Sequence, residues 1–183
     1  MHKVAVIVGS IRKDSKNKEL AKALAKLAEG KLDFQTIRID DLPLFNQDDE
    51  SAPSPPVQRF KQEVEGCDAV LFVTPEHNRS VPAAMKNAFD WGSRPPGKNS
   101  WRGKPAAITG TSGGRISTAL AQLNMRTMAS GHFSVLLNSP EVFLQFRDDL
   151  FDDDDNVRDE DTKKFLQTFI DSFAKLVDAV AGK

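Results

Sequence analysis

The sequence predicts an α/β fold, a doubly wound parallel sheet of five strands with helices on both faces. Three observations carry this expectation. Val4-Ala5-Val6-Ile7-Val8, Ala69-Val70-Leu71-Phe72-Val73 and the stretch from Pro105 to Thr111 are continuous apolar runs of strand length, as strands buried on both faces require. Each run ends in a polar or glycine-containing loop and is followed by a segment of helical period. Strand and helix therefore alternate along the chain, and such alternation folds as crossovers onto a parallel sheet. The 183 residues have the length of one domain, and no linker or repeat divides them, so residues 1–183 are expected to form a single unit.

The elements follow in order. The first strand, Val4 to Val8, stops at Gly9. Leu20, Leu24 and Leu27 then recur at helical spacing, with lysines on the other faces, and Gly30 ends that helix. Phe34 to Ile39 alternates polar and apolar residues, the pattern of a strand nearer the sheet edge. A long turn region from Asp40 to Pro56 holds the apolar segment Leu42-Pro43-Leu44-Phe45, and Val57 to Glu65 is the second helix. After the run Ala69 to Val73, Pro82 suits the first turn of a helix reaching Trp91, where a missing N–H is harmless. Arg94 to Lys104 is a proline- and glycine-containing loop, and Pro105 to Thr111 is the third core strand. Ser117 to Met128 is expected to be helical, with Leu120, Leu123 and Met128 on its apolar side. His132 to Leu137 is a short strand, and Asp161 to Val180 is a final helix burying Phe165, Phe169, Phe173, Leu176 and Val180.

Composition narrows the function. Lys plus Arg is 25 against 26 for Asp plus Glu, a balance that argues against a general nucleic-acid binder. The single cysteine, Cys67, excludes an intrachain disulfide and a cysteine-rich zinc site. Beside a buried strand it serves as a small hydrophobe. The acidic run Asp152 to Asp155 lacks the spaced ligands and mid-loop glycine of a calcium loop, and His132 has no second ligand at a useful spacing, so no metal is expected. The apolar run at the N-terminus is too short for a signal or membrane helix. No membrane partner is therefore expected, and the cytoplasm is the expected compartment. With no tyrosine in the chain, a tyrosine general acid is ruled out.

Ligands of such sheets bind beyond the carboxyl ends of the strands, which directs attention to three loops. Gly9-Ser10-Ile11-Arg12-Lys13-Asp14-Ser15-Lys16-Asn17 offers hydroxyls, an amide, a guanidinium and a helix start, the parts of an anion site. It is neither a Walker loop nor a dinucleotide fingerprint, and a capped helix start explains its serines and asparagine equally well. Thr74-Pro75-Glu76-His77-Asn78-Arg79-Ser80-Val81-Pro82 is bounded by prolines that hold its backbone toward a ligand, or is a plain connection with local turn contacts. Thr111-Ser112-Gly113-Gly114-Arg115 allows close backbone approach or is a flexible turn. Together the three describe a mononucleotide pocket.

Gly9-Ser10-Ile11-Arg12 with Ser15 and Asn17, then Pro75-Glu76-His77-Asn78, then Pro82 and Lys86-Asn87-Ala88-Phe89-Asp90-Trp91 resemble the NADPH-dependent FMN reductase family. The resemblance spans about Val4 to Asn138 and implies a flavodoxin-like fold, bound FMN, and NADPH or NADH as donor. The family includes chromate, quinone and azo-dye reductases. By its pattern Ser10, Arg12, Ser15 and Asn17 bind the FMN phosphate. Pro75, Glu76, His77 and Asn78 line the isoalloxazine and ribityl chain, and Ser112 and Gly113 close the other ring edge. Many members carry Tyr where this chain has His77, and nothing after Glu141 matches a motif.

The flavin carries the chemistry, so no catalytic side chain is expected. The acceptor is a small molecule such as a quinone, reduced in ping-pong fashion. Phe45 and Trp101 are candidate walls of an open site or, as is commoner for such residues, plain core. Arg12, Arg79 and Arg115 are candidates for attracting donor phosphates or are solvated loop residues, Arg12 being the strongest of them. A flavodoxin-type electron carrier is the alternative, though the net charge of −1 is unlike a carrier's acidic docking surface. A flavin-dependent redox sensor is another. The resemblance also implies a homodimer or homotetramer, and the apolar loops Leu42–Phe45 and Arg94–Trp101 supply surface for one.

Overall fold

The structure, a computed structural model, describes residues 1–181. Strand β1 (His2–Val8) pairs in parallel with β2 (Leu32–Thr36) on one side and with β3 (Ala69–Val73) on the other. β3 pairs with β4 (Pro105–Ser112), and the sheet order is β2-β1-β3-β4-β5. The strand order reverses between β1 and β3, which opens a crevice at their carboxyl ends.

The fifth position differs from the expected strand His132–Leu137. It is filled by two short pieces. β5 (Val135–Leu136) pairs with Pro105 and Ala106, and β6 (Phe143–Gln145) pairs with Gly110 to Ser112 farther along the same edge.

Successive side chains of the strands point to opposite faces. Val4, Val6 and Val8 join the core formed with α1 (Lys16–Leu27) and α5 (Glu160–Ala181). Ala5 and Ile7 join the core formed with α2 (Pro55–Glu65), α3 (Ala83–Ser93) and α4 (Ala119–Ala129). Both faces are covered, so the central strands are apolar throughout. Pro82 lies one step outside α3, as its N-cap.

Three packing expectations change. Leu123 is 60% exposed, and α4 turns Ala121, Met125 and Ala129 inward instead. Phe165 is 42% exposed, and Leu176 and Val180 are only half-buried. The buried stripe of α5 is Leu166, Phe169, Ile170, Phe173 and Val177, a helical spacing that leaves Phe165 about 100° off the face. Trp101 is fully buried, stacked on Phe89 with ring centroids 5.7 Å apart, and its Nε1 donates to Phe89 O at 3.1 Å. It is a core residue and forms no wall of an open site. Phe45 is half-buried and meets the Trp91 ring edge-on at 5.0 Å.

At the amino ends of the strands, Lys61 Nζ donates at 2.8 Å to Arg94 O, Lys98 O and Ser100 Oγ. Lys104 Nζ donates to Glu65 O and Cys67 O. Burial pulls both lysines below the usual ammonium range and pushes the buried Cys67 thiol up.

Candidate functional site

The first loop leaves β1 through Gly9, whose N–H donates to Val73 O at 2.9 Å. A Cβ there would stand 3.0 Å from Met85 Cε and 3.1 Å from Pro82 Cγ, so the start of α3 packs tightly on this glycine. Ser10 is half-buried, and Ile11, Arg12, Lys13 and Asp14 are exposed. Ser15 is the N-cap of α1, with extended backbone, and its carbonyl accepts from the N–H groups of Lys18 and Glu19. Its hydroxyl makes no cap bond to the helix. Ser15 Oγ is buried without a hydrogen-bond partner, beside first-turn N–H groups that have no intrahelical acceptor.

Asn17 stands apart from its neighbours. Its Nδ2 donates to Thr111 O at 2.9 Å, and its Oδ1 accepts from Thr111 N at 3.0 Å, across 94 residues of chain. The side chain is buried and bonds β4 through one N–H and its carbonyl oxygen. Asn17 is therefore a strut between the first loop and the third, with its second Nδ2 hydrogen outside that pair of bonds.

The second loop is a tight two-residue turn. His77 N donates to Ser80 O and Ser80 N to His77 O, both at 3.0 Å. The two central residues, Asn78 (φ 50°) and Arg79 (φ 64°), are left-handed and exposed, as the mirror-image hairpin turn requires. For Arg79 this backbone is strained by about 1–2 kcal/mol. The turn is anchored twice to α4. Glu76 Oε2 accepts from Leu120 N and Ala121 N at 3.0 Å each, and Asn124 Nδ2 donates to Arg79 O at 3.1 Å. The Glu76 carboxylate thus caps α4 from another loop, where the helix dipole favours it. One carboxylate oxygen, Oε2, is thus committed to α4, which fixes the Glu76 backbone in the loop expected to line the ligand. Pro75 is half-buried, and His77 is exposed.

The third loop follows β4. Gly110 lies so close to β3 that a Cβ would stand 2.0 Å from Thr74 O, so only glycine lets the two strand ends meet. Ser112 Oγ donates to Ser117 O at 2.9 Å and accepts from Gly114 N at 3.3 Å, which curls the loop on itself. Gly113, Gly114, Arg115 and Ile116 are exposed. Behind them stands β6. Leu144 O accepts from Thr111 Oγ1 and Ser117 Oγ at 2.7 Å, Gln145 Nε2 donates to Gly113 O at 3.2 Å, and Phe146 N donates to Ser112 O at 2.8 Å. The segment after Glu141 therefore buttresses this loop. Sequence reasoning missed it because three residues of strand leave almost no pattern.

The strand order and the three joined loops describe a mononucleotide site at the sheet's switch point. The family model described as NADPH-dependent FMN reductase matches residues 2–149. The chain belongs to that family. It is 47% identical over 175 residues to the 2-hydroxy-1,4-benzoquinone reductase of a Burkholderia species, covering 96% of both chains. Its structure matches the FerB flavoenzyme of Paracoccus denitrificans, an NAD(P)H:(acceptor) oxidoreductase, with a TM-score of 0.95, 46% identity and coverage of 98% of this chain and 99% of that one. A WrbA-like flavodoxin from Agrobacterium tumefaciens shares the fold alone, at TM-score 0.65 and 17% identity, covering 98% of this chain and 99% of that one. This reductase is accordingly an FMN-dependent, flavodoxin-like oxidoreductase with NAD(P)H as electron donor.

The residues present fit that cofactor. A buried hydroxyl without a partner, at a helix N-terminus within a loop that carries Arg12, is suited to a phosphate oxygen. Among the described residues no group of His, Cys, Asp and Glu is placed to hold a metal ion. No helix among them is long and apolar enough to cross a membrane.

Proposed function

We propose that the protein is an NAD(P)H:quinone reductase in which residues 1–183 act as one FMN-binding domain. The observation that carries this reading is the partnerless Ser15 hydroxyl at the start of α1. Ser10, Arg12 and Ser15 hold the FMN phosphate together with the first-turn N–H groups. Pro75, His77, Asn78 and the Glu76 backbone lie along the ring and ribityl chain, and Ser112 and Gly113 meet the other ring edge. Asn17 and the Glu76 carboxylate hold the three loops in register from beneath. Arg79 and Arg115, exposed on the second and third loops, attract the phosphates of NAD(P)H. When bound, FMN supplies the two-electron chemistry that links NAD(P)H oxidation to reduction of an acceptor. The quinone acceptor is supported by the relatives, of which one reduces 2-hydroxy-1,4-benzoquinone and another, from Pseudomonas putida, is a quinone reductase 44% identical over 178 residues. An open site of this kind also admits chromate, azo dyes and free flavin. The donor NAD(P)H is made inside cells, which supports the cytoplasm as the compartment.

NADPH added anaerobically to the FMN-loaded protein should bleach the flavin absorbance, and 1,4-benzoquinone should restore it. An electron carrier would show no direct bleaching, and that result would overturn the reading. FMN should bind and FAD should not bind comparably, because the loop meets one terminal phosphate. Arg12→Ala removes one charge-assisted contact and should weaken FMN by roughly 10- to 150-fold.

We also propose a homodimer or homotetramer. Leu44, Ile116 and Leu123 are 84%, 53% and 60% exposed, an apolar display on and beside the site loops that a partner copy would cover. Light scattering should give a multiple of 20.2 kDa. A fully active, FMN-loaded monomer would defeat this part.

A further inference from the structure

A cavity of about 400 Å³ borders the first loop, the start of α1 and the sheet edge at β2. Its walls are the sheet edge and one face of α1: Val6 and Val8 from β1, Phe34 from β2, Ile37 and Ile39 beyond it, and Ser10 and Ile11 from the loop. The space exists because α1 presents Ala21 and Ala25 to it, methyl groups where the same helix elsewhere buries Leu20 and Leu24. Ser10, assigned to the FMN phosphate, also borders it, while no residue of the second or third loop does, so the cavity adjoins the flavin cleft at the phosphate end and extends away from the ring.

Its mouth is charged, and unevenly so. Lys18, Lys22 and Arg38 stand around it with a single acid, Asp40. Arg38 Nε holds Asp40 Oδ1 at 2.6 Å and keeps that carboxyl below its usual range. Lys22 Nζ reaches Asp155 at 3.2 Å. Lys16, on the same helix, is paired with Glu19. Lys18 has no ion pair among the described residues, and it is half-buried over the apolar space. A volume of this size accommodates a small organic molecule, and the apolar wall with a cationic rim specifies its chemistry.

We propose that this cavity is a second ligand site, built for a small apolar acid. The hydrocarbon body packs on Val6, Val8, Phe34 and Ile37, and the carboxylate meets Lys18 at the mouth. Snorkelling lysines suit this arrangement, with the stem lying along apolar surface and the ammonium at the water boundary.

The test uses the FMN-loaded protein with methyl-labelled valine and isoleucine, and decanoate as the probe. Decanoate should shift the methyl resonances of Val6, Val8, Ile37 and Ile39 saturably while FMN stays bound. Decan-1-ol, the neutral counterpart, should bind about 3- to 10-fold more weakly. Lys18→Glu should weaken decanoate by a similar factor, and Ala25→Phe should abolish the shifts by filling the space. Should Ala25→Phe fail to fold, Lys18→Glu still decides, because its surface position leaves the core intact. Absent or unsaturable shifts would overturn the proposal. So would equal affinity of decanoate for the wild type and Lys18→Glu, or loss of decanoate binding once FMN saturates the protein. None of these outcomes depends on NAD(P)H oxidation, so they leave the flavin reading untouched.

Discussion

Lys61 and Ser15 are polar groups drawn out of water at opposite ends of the sheet, and the protein treats them in opposite ways. Lys61, at the amino ends of the strands, places Nζ against three acceptors at 2.8 Å. Burial disfavours its charge, and the full set of acceptors compensates. Ser15, at the carboxyl ends, has a buried hydroxyl with no partner. An orphan of that kind is destabilising by about 1–3 kcal/mol. The amino end is closed by the protein's own backbone, while the carboxyl end leaves acceptor and donor positions open for a ligand. Asn17 and Glu76 sit in the open loops by sequence, yet their bonds place them with Lys61.

The largest effect should come from testing that division at Asn17. Asn17→Ala strands both the N–H and the C=O of Thr111 in a buried setting. We expect a loss of about 3 kcal/mol and a fall in Tm of roughly 6–12 °C, equal in the FMN-free and FMN-saturated protein. Arg12→Ala should do the reverse, leaving the FMN-free stability within about 0.5 kcal/mol while FMN binding weakens. An Asn17→Ala protein with unchanged FMN-free stability and weakened FMN would move Asn17 to the open class.

Glu76 gives a smaller effect of the same kind. Its carboxylate supplies the cap that α4 lacks from its own N-cap residue, Thr118, whose hydroxyl accepts from Gln122 Nε2 and from no first-turn N–H. Glu76→Ala should destabilise by about 1–2 kcal/mol. Glu76→Gln keeps an acceptor oxygen and should recover most of this. Denaturant unfolding of both variants checks it, and equal losses would show that charge rather than the cap is what matters.

These two residues also mark where sequence reading stops. Val4 to Val8, Ala69 to Val73 and Pro105 to Thr111 were legible because strands buried on both faces must be apolar throughout. From those runs came the sheet and the loops that surround the site. The partners of Asn17 and Glu76 are backbone atoms of Thr111, Leu120 and Ala121. Every residue carries the same backbone, so no residue type announces such a bond. A family motif names the positions without saying which contact a ligand and which contact the chain. The strand β6 was hidden for a related reason, since it acts through Leu144 O and the backbone of Phe146. Leu123 misled in the ordinary way, because apolar character does not specify which residue a tertiary partner will cover, and Trp101 took the core place that its type favours.

The smallest effect lies in the turn before α5, which is closed as tightly as the amino end but in full contact with water. Phe151 and Val157 bridge its neck. Asp152 Oδ1 accepts from Asp154 N at 3.0 Å and from Asn156 N at 2.7 Å, and Asn156 Nδ2 bonds both carboxylate oxygens. Lys26 Nζ donates to Asn156 Oδ1 at 3.1 Å and ties the turn to α1. Hydrogen bonds from Asn156 hold the Asp152 carboxyl below its ordinary value of 3.8. The unfolded chain therefore takes up this proton first as the pH falls. The contribution is whole above the ordinary carboxylate range and is lost as acid titrates the folded group. Asp152→Asn should remove that dependence, so its unfolding free energy should fall less steeply than the wild type's between about pH 5 and 2. FMN affinity at neutral pH should be the same in both proteins, since the turn touches none of the three loops. Parallel acid limbs would show that the Asp152 bonds survive in the unfolded chain or add nothing to the fold. A shift in FMN affinity would show that the turn and the open end of the sheet are coupled through α1.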